Sequence, residues 1–457
     1  SGAWAERTAG WPRTLSSSTT PALVNNNVKA VGAGLSLAAP IDPRTGGGIP
    51  TFSAGIGTSS SISVIKYDGN VYEPNAGGPD STDFLSAVGN GRAFWTDGNN
   101  RVEVTGDIDK ITADSSARHR FSVSNSYPYG FGSPTGISVV NTKVAVASAS
   151  GVEFDTMPFT SSDIAGSGDI DIVSALVNRT FNTGFYKGDI RGLWLSNSNT
   201  VDRSYLANTL TNNGTVPTEA VESGAELTAY GPFSTSNYLS RASDADWDVL
   251  GTGAVYMSCW VKSASCAASE AIMGFSNSGG SIRCTMTWAT TNGDFTWELQ
   301  GASATVSPQS NTTGYDDDAW HKVDLVQVSS TERYMYVDGV LADNVSTTDC
   351  GSLSSSGNLP FAIGRLGGSS GQGATTTKAA LAHLSGTAPS ATQVRQMYDA
   401  EKGMFVASAE CLLQSGTTDA VLDVDVDPLS GKVIVTQTDA ITIFDGLVVD
   451  SKPTVNS

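Results

Sequence analysis

Apolar and polar residues alternate along most of this 457-residue chain in short runs. A period of two places successive side chains on opposite faces of an extended segment, so each run predicts a β-strand. The 49 glycines and the many Ser, Thr and Asn residues divide these runs with turn signals. Long amphipathic helices are nearly absent. The pattern therefore predicts an all-β protein.

Two Asp-Gly pairs predict hairpins in the first quarter of the chain. Residues 62–72 alternate on both sides of Asp68-Gly69, and residues 92–104 do the same around Asp97-Gly98. Both central residues of the tightest hairpin turn need a positive φ, which Asp-Gly tolerates well. These segments are expected to be hairpins rather than helices.

One longer pattern occurs twice. Lys143–Asp155 and Lys432–Asp445 match almost position for position, with one extra residue in the second, and 192–201 is a weaker copy. Repeats of this kind are typical of β-propeller blades, which bury their faces by stacking on neighbours. The two best copies flank a long unrelated segment. We expect a propeller-like body of about five blades, interrupted by an inserted domain.

The inserted segment has its own strand pattern. Alternation over 255–261 predicts one strand, and Asn292-Gly293 between two alternating runs predicts a hairpin. Ser390 and Gln393 form a capping box that opens a short helix. The predicted organisation is an attachment arm at 1–25, propeller-like blades at 26–205, a sandwich at 206–402 and a closing blade at 403–457.

A series of motifs in this segment resembles the laminin-G-like, concanavalin-A-like jelly roll. The residues that carry the resemblance are Trp260-Val261-Lys262, Trp320-His321-Lys322-Val323, Tyr334 to Gly339, Phe361 to Arg365 and the helix ending near Tyr398. The resemblance implies a β-sandwich used for binding. Members that bind calcium commonly carry acidic residues near the last strand before the helix. This chain has the non-acidic run AALAHL there, at 379–384, so calcium is only weakly supported as a cofactor.

Residues 398–405 and the closing blade resemble the end of tail-fibre and tail-tip proteins of tailed bacteriophages. That resemblance implies an extracellular virion subunit, a host-surface glycan as ligand, other tail proteins as partners and a homotrimer. Segment 1–25 would then attach the subunit to the particle.

Charge excludes some partners. The formal net charge is -19 with a pI near 4.4, which disfavours phosphate backbones and anionic membranes. No apolar run approaches the roughly 20 residues that span a bilayer, so membrane insertion is not expected either. Nucleic acid is not expected as a partner because of the charge. The five cysteines leave at least one thiol free, and a disulfide among Cys259, Cys266, Cys284 and Cys350 stays open.

Three aromatic residues are candidates for sugar stacking: Trp288, Trp297 and Tyr334. Their rings could pack on the C–H faces of a sugar, but their alternating positions are also typical of core residues. Core packing is the favoured interpretation for each.

Two acidic runs could suggest a metal site. Asp316, Asp317 and Asp318 form one, and the alternating carboxylates of 423–427 form the other, but neither has the glycine and distal glutamate of an EF-hand. A solvated loop and a strand with one wet face are the favoured interpretations. The three histidines lack metal-ligand spacing, and His321 is expected to have a structural role.

No nucleophile elbow or phosphate loop is visible, so no catalytic residue is assigned. The leading hypothesis is a tail-fibre or tail-tip subunit that recognises a host glycan. The alternatives are a polysaccharide-degrading tail enzyme and a purely structural or decoration subunit. A paired-carboxylate site would be set by spatial position rather than by sequence, which leaves the enzyme open.

Overall fold

The computed structural model describes most of the chain from residue 28 onward, and segment 1–25 lies outside the described residues. The described ranges are 28–35, 39–56, 61–67, 70–72, 86–89, 92–97, 101–105, 118–120, 134–156, 173–197, 200–204, 206–246, 253–301, 303–310, 312–345, 348–351, 359–368, 373–414 and 420–453. They belong to two compact units, which separate near residue 120.

The first unit contains two antiparallel four-stranded meanders, β1-β2-β3-β4 and β5-β6-β7-β8. Their strands are β1 Val28–Gly34, β2 Thr51–Ile56, β3 Ser61–Ile65, β4 Val71–Tyr72, β5 Ser86–Gly89, β6 Arg92–Asp97, β7 Arg101–Thr105 and β8 Arg118–Arg120. The two Asp-Gly hairpins are confirmed as β3–β4 and β6–β7. Their turn residues 68–69 and 98 lie outside the described residues.

The second unit begins with a five-stranded antiparallel sheet of order β13-β12-β11-β10-β9. Its strands are β9 Pro134–Val140, β10 Lys143–Ser148, β11 Gly151–Thr156, β12 Val173–Val177 and β13 Tyr186–Lys187. The first copy of the repeat is the hairpin β10–β11, in which Lys143 lies opposite Thr156 and Ser148 opposite Gly151. The predicted hairpin is confirmed.

A two-sheet β-sandwich follows. Its strands are β14 Ile190–Trp194, β15 Thr211–Asn213, β16 Thr218–Ala220, β17 Thr228–Tyr230, β18 Tyr238–Arg241, β19 Val255–Lys262, β20 Ala271–Ser276, β21 Arg283–Trp288, β22 Phe295–Gln300, β23 Thr305–Val306, β24 Trp320–Gln327, β25 Arg333–Val337, β26 Val340–Val345, β27 Phe361–Ile363 and β28 Lys378–Ser385. The eight-stranded sheet has the order β16-β17-β28-β19-β24-β25-β26, with β14 also paired to β28, and the seven-stranded sheet has the order β15-β18-β27-β20-β21-β22-β23.

Strand β14 corrects two predictions. It pairs with β28, and its Trp194 is wholly buried in the sandwich core. Residues 192–201 are therefore not a further copy of the blade repeat. The sandwich begins near residue 190 rather than at 206, because the apolar run that looked like a blade strand completes the eight-stranded sheet.

The local signals inside the sandwich are confirmed. Asn292-Gly293 joins β21 to β22, and Gly293 has a φ of 73° with Asp316 packed where a Cβ would lie. Helix α1, Ala391–Glu401, opens with the expected capping box between Ser390 and Gln393 and runs into a 3₁₀ turn at Lys402–Phe405. Turn and cap residues act locally, which is why the sequence identifies them.

After the sandwich the chain forms a last four-stranded meander, β29-β30-β31-β32. Its strands are β29 Val421–Val426, β30 Val433–Gln437, β31 Ile441–Asp445 and β32 Val448–Ser451. Strand β29 packs against β9 and β10, on the sheet that precedes the sandwich. Equivalent residues of the two repeat copies meet there, because the rings of Phe154 and Phe444 form an edge contact with centroids 5.5 Å apart.

The all-β class is confirmed, since every sheet is built from antiparallel meanders or sandwich strands. The residues that the structure describes form four meander sheets outside the sandwich, and no sheet closes on itself. A ring of about five blades therefore stays a prediction.

All five cysteines are free thiols, so none of the disulfides left open by the sequence is present. Within the described ranges, no helix has the length and apolar character needed to cross a membrane.

Replacing Phe444 with alanine should lower the free energy of unfolding by about 3–5 kcal/mol, because it removes a wholly buried ring from the interface between the two repeat sheets. Urea titration followed by intrinsic fluorescence would measure the loss. Leu429, 95% exposed in the turn between β29 and β30, is the matched control, and Leu429→Ala should leave the midpoint unchanged. Equal effects of the two substitutions would contradict the packing of this interface.

Candidate ligand-binding face

The structure contradicts a sugar-stacking role for Trp288 and Trp297. Both indoles are wholly buried in the sandwich core, where Trp288 stacks on Phe295 with centroids 4.3 Å apart. Trp288 Nε1 donates to Thr377 Oγ1 at 2.8 Å, and Trp297 Nε1 donates to Cys284 Sγ at 3.3 Å. No ring face is open to a ligand, so these two candidates are core residues.

Tyr334 lies elsewhere, on the outer face of the eight-stranded sheet near its edge. Its side chain is half-buried, and its hydroxyl donates to Glu332. This hydrogen bond raises the pKa of Tyr334, and the charge of Glu332 adds to the effect. A ligand role for Tyr334 stays a prediction.

The three consecutive aspartates turn to different partners. Asp316 packs against Gly293, Asp317 accepts from Ala319 N at 2.9 Å, and Asp318 has a φ of 65° in a turn. In the described part of the chain, no group of three or more His, Cys, Asp or Glu side chains could hold a metal ion. These carboxylates are therefore not brought together as ligands.

The aspartates of 423–427 follow the favoured interpretation. Asp423 and Asp425 lie on the exposed face of β29, where Asp425 accepts from Ser138 Oγ at 2.8 Å. Asp427 accepts from Leu429 N and Ser430 N, which closes the turn into β30. The run is a strand with one wet face that ends in a turn.

His321 has the structural role expected of it. Its Nδ1 lies 2.8 Å from Asp338 Oδ2 and its Nε2 lies 3.1 Å from Asp317 Oδ1. Burial alone would lower the pKa of His321, but the hydrogen bonds and charges of Asp338 and Asp317 outweigh burial and raise it. The ring therefore ties the start of β24 to two neighbouring turns.

The outer face of the seven-stranded sheet is the candidate ligand-binding face. Cys284, Met286 and Trp288 of β21 point into the core, so alternation places Arg283, Thr285 and Thr287 on the other side. One row of this outer face crosses five strands in register. From β18 to β22 it consists of Ser240, Ala362, Gly274, Thr285 and Glu298.

The middle of this row is made of small side chains. Ala362 and Thr285 are wholly buried between their neighbours, and Gly274 has no room for a Cβ beside Cys284 O. Thr287, in the next row, has a buried hydroxyl without a hydrogen-bond partner among the described residues. An unsatisfied buried hydroxyl is costly, so a water or ligand is expected to complete it.

Charged groups flank this floor of small residues. Arg283 Nε lies 3.1 Å from Glu298 Oε2, with side chains 22% and 18% exposed. The two atoms attract as ions but are not aligned for a hydrogen bond. Both side chains are thus partly exposed at this end of the face.

At the other end of the face, Arg365 stacks on Tyr238. The guanidinium carbon lies 3.8 Å from the ring centroid, and Nη1 donates to Thr235 O at 2.9 Å. Gly364 makes this turn possible, since its φ is 86° and a Cβ there would collide with Phe233. Both side chains are partly exposed. The arrangement presents an aromatic ring and a fixed cation together.

This pair was not among the candidate residues predicted from the sequence. Arg365 entered only as the end of the family motif, and Tyr238 was not considered. The available signal was the Gly364-Arg365 dipeptide directly after a buried strand, where a glycine turn places the next side chain above the sheet.

A second site is wholly buried between the outer face of the eight-stranded sheet and helix α1. Lys322 Nζ is 3.3 Å from Asp324 Oδ1 and 3.3 Å from Glu401 Oε2, and none of the three side chains is exposed. Burial alone would lower the pKa of Lys322, but the two carboxylates outweigh burial and raise it. Burial raises the pKa of Glu401. The lysine is thus held as a cation between Asp324 of its own strand, β24, and Glu401 at the end of α1.

Further donors contact the two carboxylates of this buried charge cluster. Tyr256 Oη donates to Asp324 Oδ1 at 2.7 Å, and Trp260 Nε1 donates to Glu401 Oε2 at 2.6 Å. Phe185 N donates to Glu401 Oε1 at 2.8 Å. These donors stabilise the two carboxylates in place, although Asp324 Oδ2 has no hydrogen-bond partner among the described residues.

His383, Ser258 and Asp324 lie side by side on β28, β19 and β24, the residue types of a nucleophilic triad. All three are wholly buried, which denies access to a substrate. His383 Nε2 lies 3.1 Å from Thr183 O, and burial, together with the charge of Lys322, lowers the pKa of His383 to about 3. The neutral ring therefore donates to the backbone carbonyl of Thr183. This row of three residues links neighbouring elements of the fold.

Segment 178–189 connects the buried charge cluster to the flanking sheets. Phe185 and Thr183, described above, belong to this segment. Its Asn182 Nδ2 donates to Cys411 O at 3.1 Å and to Leu447 O at 3.2 Å. Ser385 Oγ of β28 donates to Lys187 O at 2.9 Å. One stretch of chain thus contacts the sandwich, the five-stranded sheet and the last meander.

No family model matches the chain, and no curated protein matches it. Among solved structures it is similar to domain 4 of AbnA, a GH43 extracellular arabinanase from Geobacillus stearothermophilus, in complex with arabinotriose. The identity is 13% and the TM-score 0.32, over 42% of this chain and 87% of that one.

Toxin domains are also similar. The botulinum neurotoxin serotype D ligand binding domain, in complex with N-acetylneuraminic acid, has 12% identity and a TM-score of 0.34, over 53% of this chain and 58% of that one. The binding domain of Paraclostridial Mosquitocidal Protein 1 has 10% identity and a TM-score of 0.36, over 58% and 64%. The match thus spans less than two thirds of either toxin domain.

The raised pKa of His321 sets a pH dependence. Its stabilising effect is fully present below the unfolded pKa of about 6.5 and is lost as the pH rises through the folded value. His321→Gln should therefore destabilise the protein more at pH 5.5 than at pH 8.5. Urea midpoints of both proteins across this range would test it, and a difference that is constant with pH would contradict the ion pairs.

Removing the buried cation should be severe. Lys322→Met leaves Asp324 and Glu401 buried without their cation, and a loss of about 3–5 kcal/mol in unfolding free energy is expected. Lys402→Met is the matched control, because Lys402 pairs with Asp399 at a side-chain exposure of 50% and should change nothing measurable. Wild-type stability in Lys322→Met would show that the buried charge cluster does not hold the helix.

Proposed function

We propose that the chain recognises a surface glycan through the outer face of its seven-stranded sheet. The observation that carries the proposal is the stack of Arg365 on Tyr238 at one end of that face. Sugar sites combine an aromatic surface with a few well-placed polar groups. Here the ring, the guanidinium and the flanking ion pair of Arg283 and Glu298 supply both.

The two outer faces of the sandwich differ in what covers them. Helix α1, the 3₁₀ turn and segment 178–189 pack on the eight-stranded sheet, where they bury Tyr256 and Trp260. The seven-stranded sheet instead carries partly exposed polar side chains at both ends of its outer face. The exposed side chains at the ends of that face support placing the ligand there.

In this proposal the protein is a virion subunit of a tailed bacteriophage, a tail-fibre or tail-tip component in which blade-like sheets form the body and the sandwich meets the host. The motif resemblance at 398–405 supports that role, and the packing of β29 against β9 and β10 fits a body that resumes after the sandwich. A trimer would multiply weak single sites into firm attachment.

The test is binding of the purified full chain to an array of bacterial surface polysaccharides. Tyr238→Ala should weaken binding about tenfold or more, because a stacking surface in a sugar site contributes on the order of 1–2 kcal/mol. Tyr334→Ala, on the opposite sheet, is the paired variant. Loss in Tyr334→Ala alone would move the site to that sheet.

Two further outcomes would overturn glycan recognition as the main activity. Release of reducing ends from a bound polysaccharide would indicate a depolymerase. Absence of binding to every polysaccharide, with a folded protein, would indicate a structural or decoration subunit.

A further inference from the structure

Among the described residues, Arg365 is a cation without an acidic partner. The chain holds 45 acidic and 26 basic residues, and several of its basic side chains are paired with a carboxylate. Arg283, Arg241 and Arg191 each form an ion pair with a neighbouring acid. Arg365 forms none with any described residue, and it contacts the Tyr238 ring and two backbone carbonyls.

The guanidinium is nevertheless fixed in position. Its flat face rests on Tyr238, Nη1 donates to Thr235 O at 2.9 Å and Nε points at Leu366 O at 3.4 Å. Stacking on an aromatic ring leaves the in-plane N–H donors free to bind at the edge. The donors of Nη2 find no acceptor among the described residues.

A fixed planar cation of this kind suits one ligand group. Two parallel N–H donors match the two oxygens of a carboxylate, and a charge-assisted pair of this type is about twice as strong as a neutral hydrogen bond. A neutral sugar hydroxyl would use only one donor and none of the charge. The partly exposed Tyr238 ring lies directly beside this edge and can pack against the sugar that bears the carboxylate.

We infer that the Arg365–Tyr238 pair selects an acidic glycan, one whose sugar carboxylate binds the Arg365 guanidinium while the sugar ring contacts Tyr238. This inference rests on the proposed glycan recognition and names its ligand class. The net charge of -19 would repel an anionic polymer at long range, so discrimination must come from this local contact.

The experiment uses the full chain and an array in which each polysaccharide is printed twice, once in native form and once after chemical reduction of its carboxyl groups to alcohols. The wild type should bind an acidic polysaccharide at least tenfold more tightly than its reduced form. Arg365→Ala should bind both forms equally, and Arg365→Lys should keep part of the preference, because it retains the charge but loses the bidentate geometry.

Arg395→Ala is the matched control. Arg395 is an exposed arginine that pairs with Asp399 on α1, the helix that packs on the eight-stranded sheet. It should leave the preference intact, and a melting curve for each variant confirms folding. Equal binding of native and reduced forms by the wild type would overturn the acidic-glycan inference while leaving glycan recognition standing. A preference that survives in Arg365→Ala would also overturn it, and absence of binding to both forms would overturn the proposed function itself.

Discussion

The architecture of the second unit depends on the buried charges of Lys322, Asp324 and Glu401. Moving these ions out of water is unfavourable by several kcal/mol each, and only close pairing with extra donors offsets it. Tyr256 and Trp260 supply those donors from the sheet, and Phe185 supplies one from the preceding segment. Because Glu401 lies at the end of α1 and contacts Lys322, Trp260 and Phe185, this network holds α1 and segment 178–189 on the sandwich.

That constraint has a consequence for function. While α1 and segment 178–189 cover the eight-stranded sheet, the seven-stranded sheet carries partly exposed polar side chains at the two ends of its outer face. Its small residues Ala362, Gly274 and Thr285 keep the centre low, while Arg365 with Tyr238 and Arg283 with Glu298 rise at the two ends. The core tryptophans contribute by stiffening the sheet from below rather than by touching a ligand.

Local signals in the sequence predicted local structure well. The Asp-Gly and Asn-Gly hairpins, the capping box at Ser390 and the repeat pair all correspond to observed elements, because turns, caps and alternation depend on neighbouring residues. Strand β14 was assigned to the wrong domain because a short apolar run does not say which sheet it joins.

The candidate site was beyond sequence reasoning for the same physical reason. Arg365 and Tyr238 meet only because β18 and β27 are neighbours in the sheet, a pairing fixed by the whole core. Lys322 likewise alternates as if it were solvent-facing, and only the packing of Glu401 above it turns that position into a buried ion pair. Trp288 and Trp297 were ambiguous because a buried aromatic and a sugar platform share the same alternation.

The most direct test of this account is an experimental structure of the full chain with a bound acidic oligosaccharide chosen from the array. The account predicts a sugar ring against Tyr238 with its carboxylate on Arg365, on the outer face of the seven-stranded sheet. A sugar bound beside Tyr334 or at any site away from this face would contradict it.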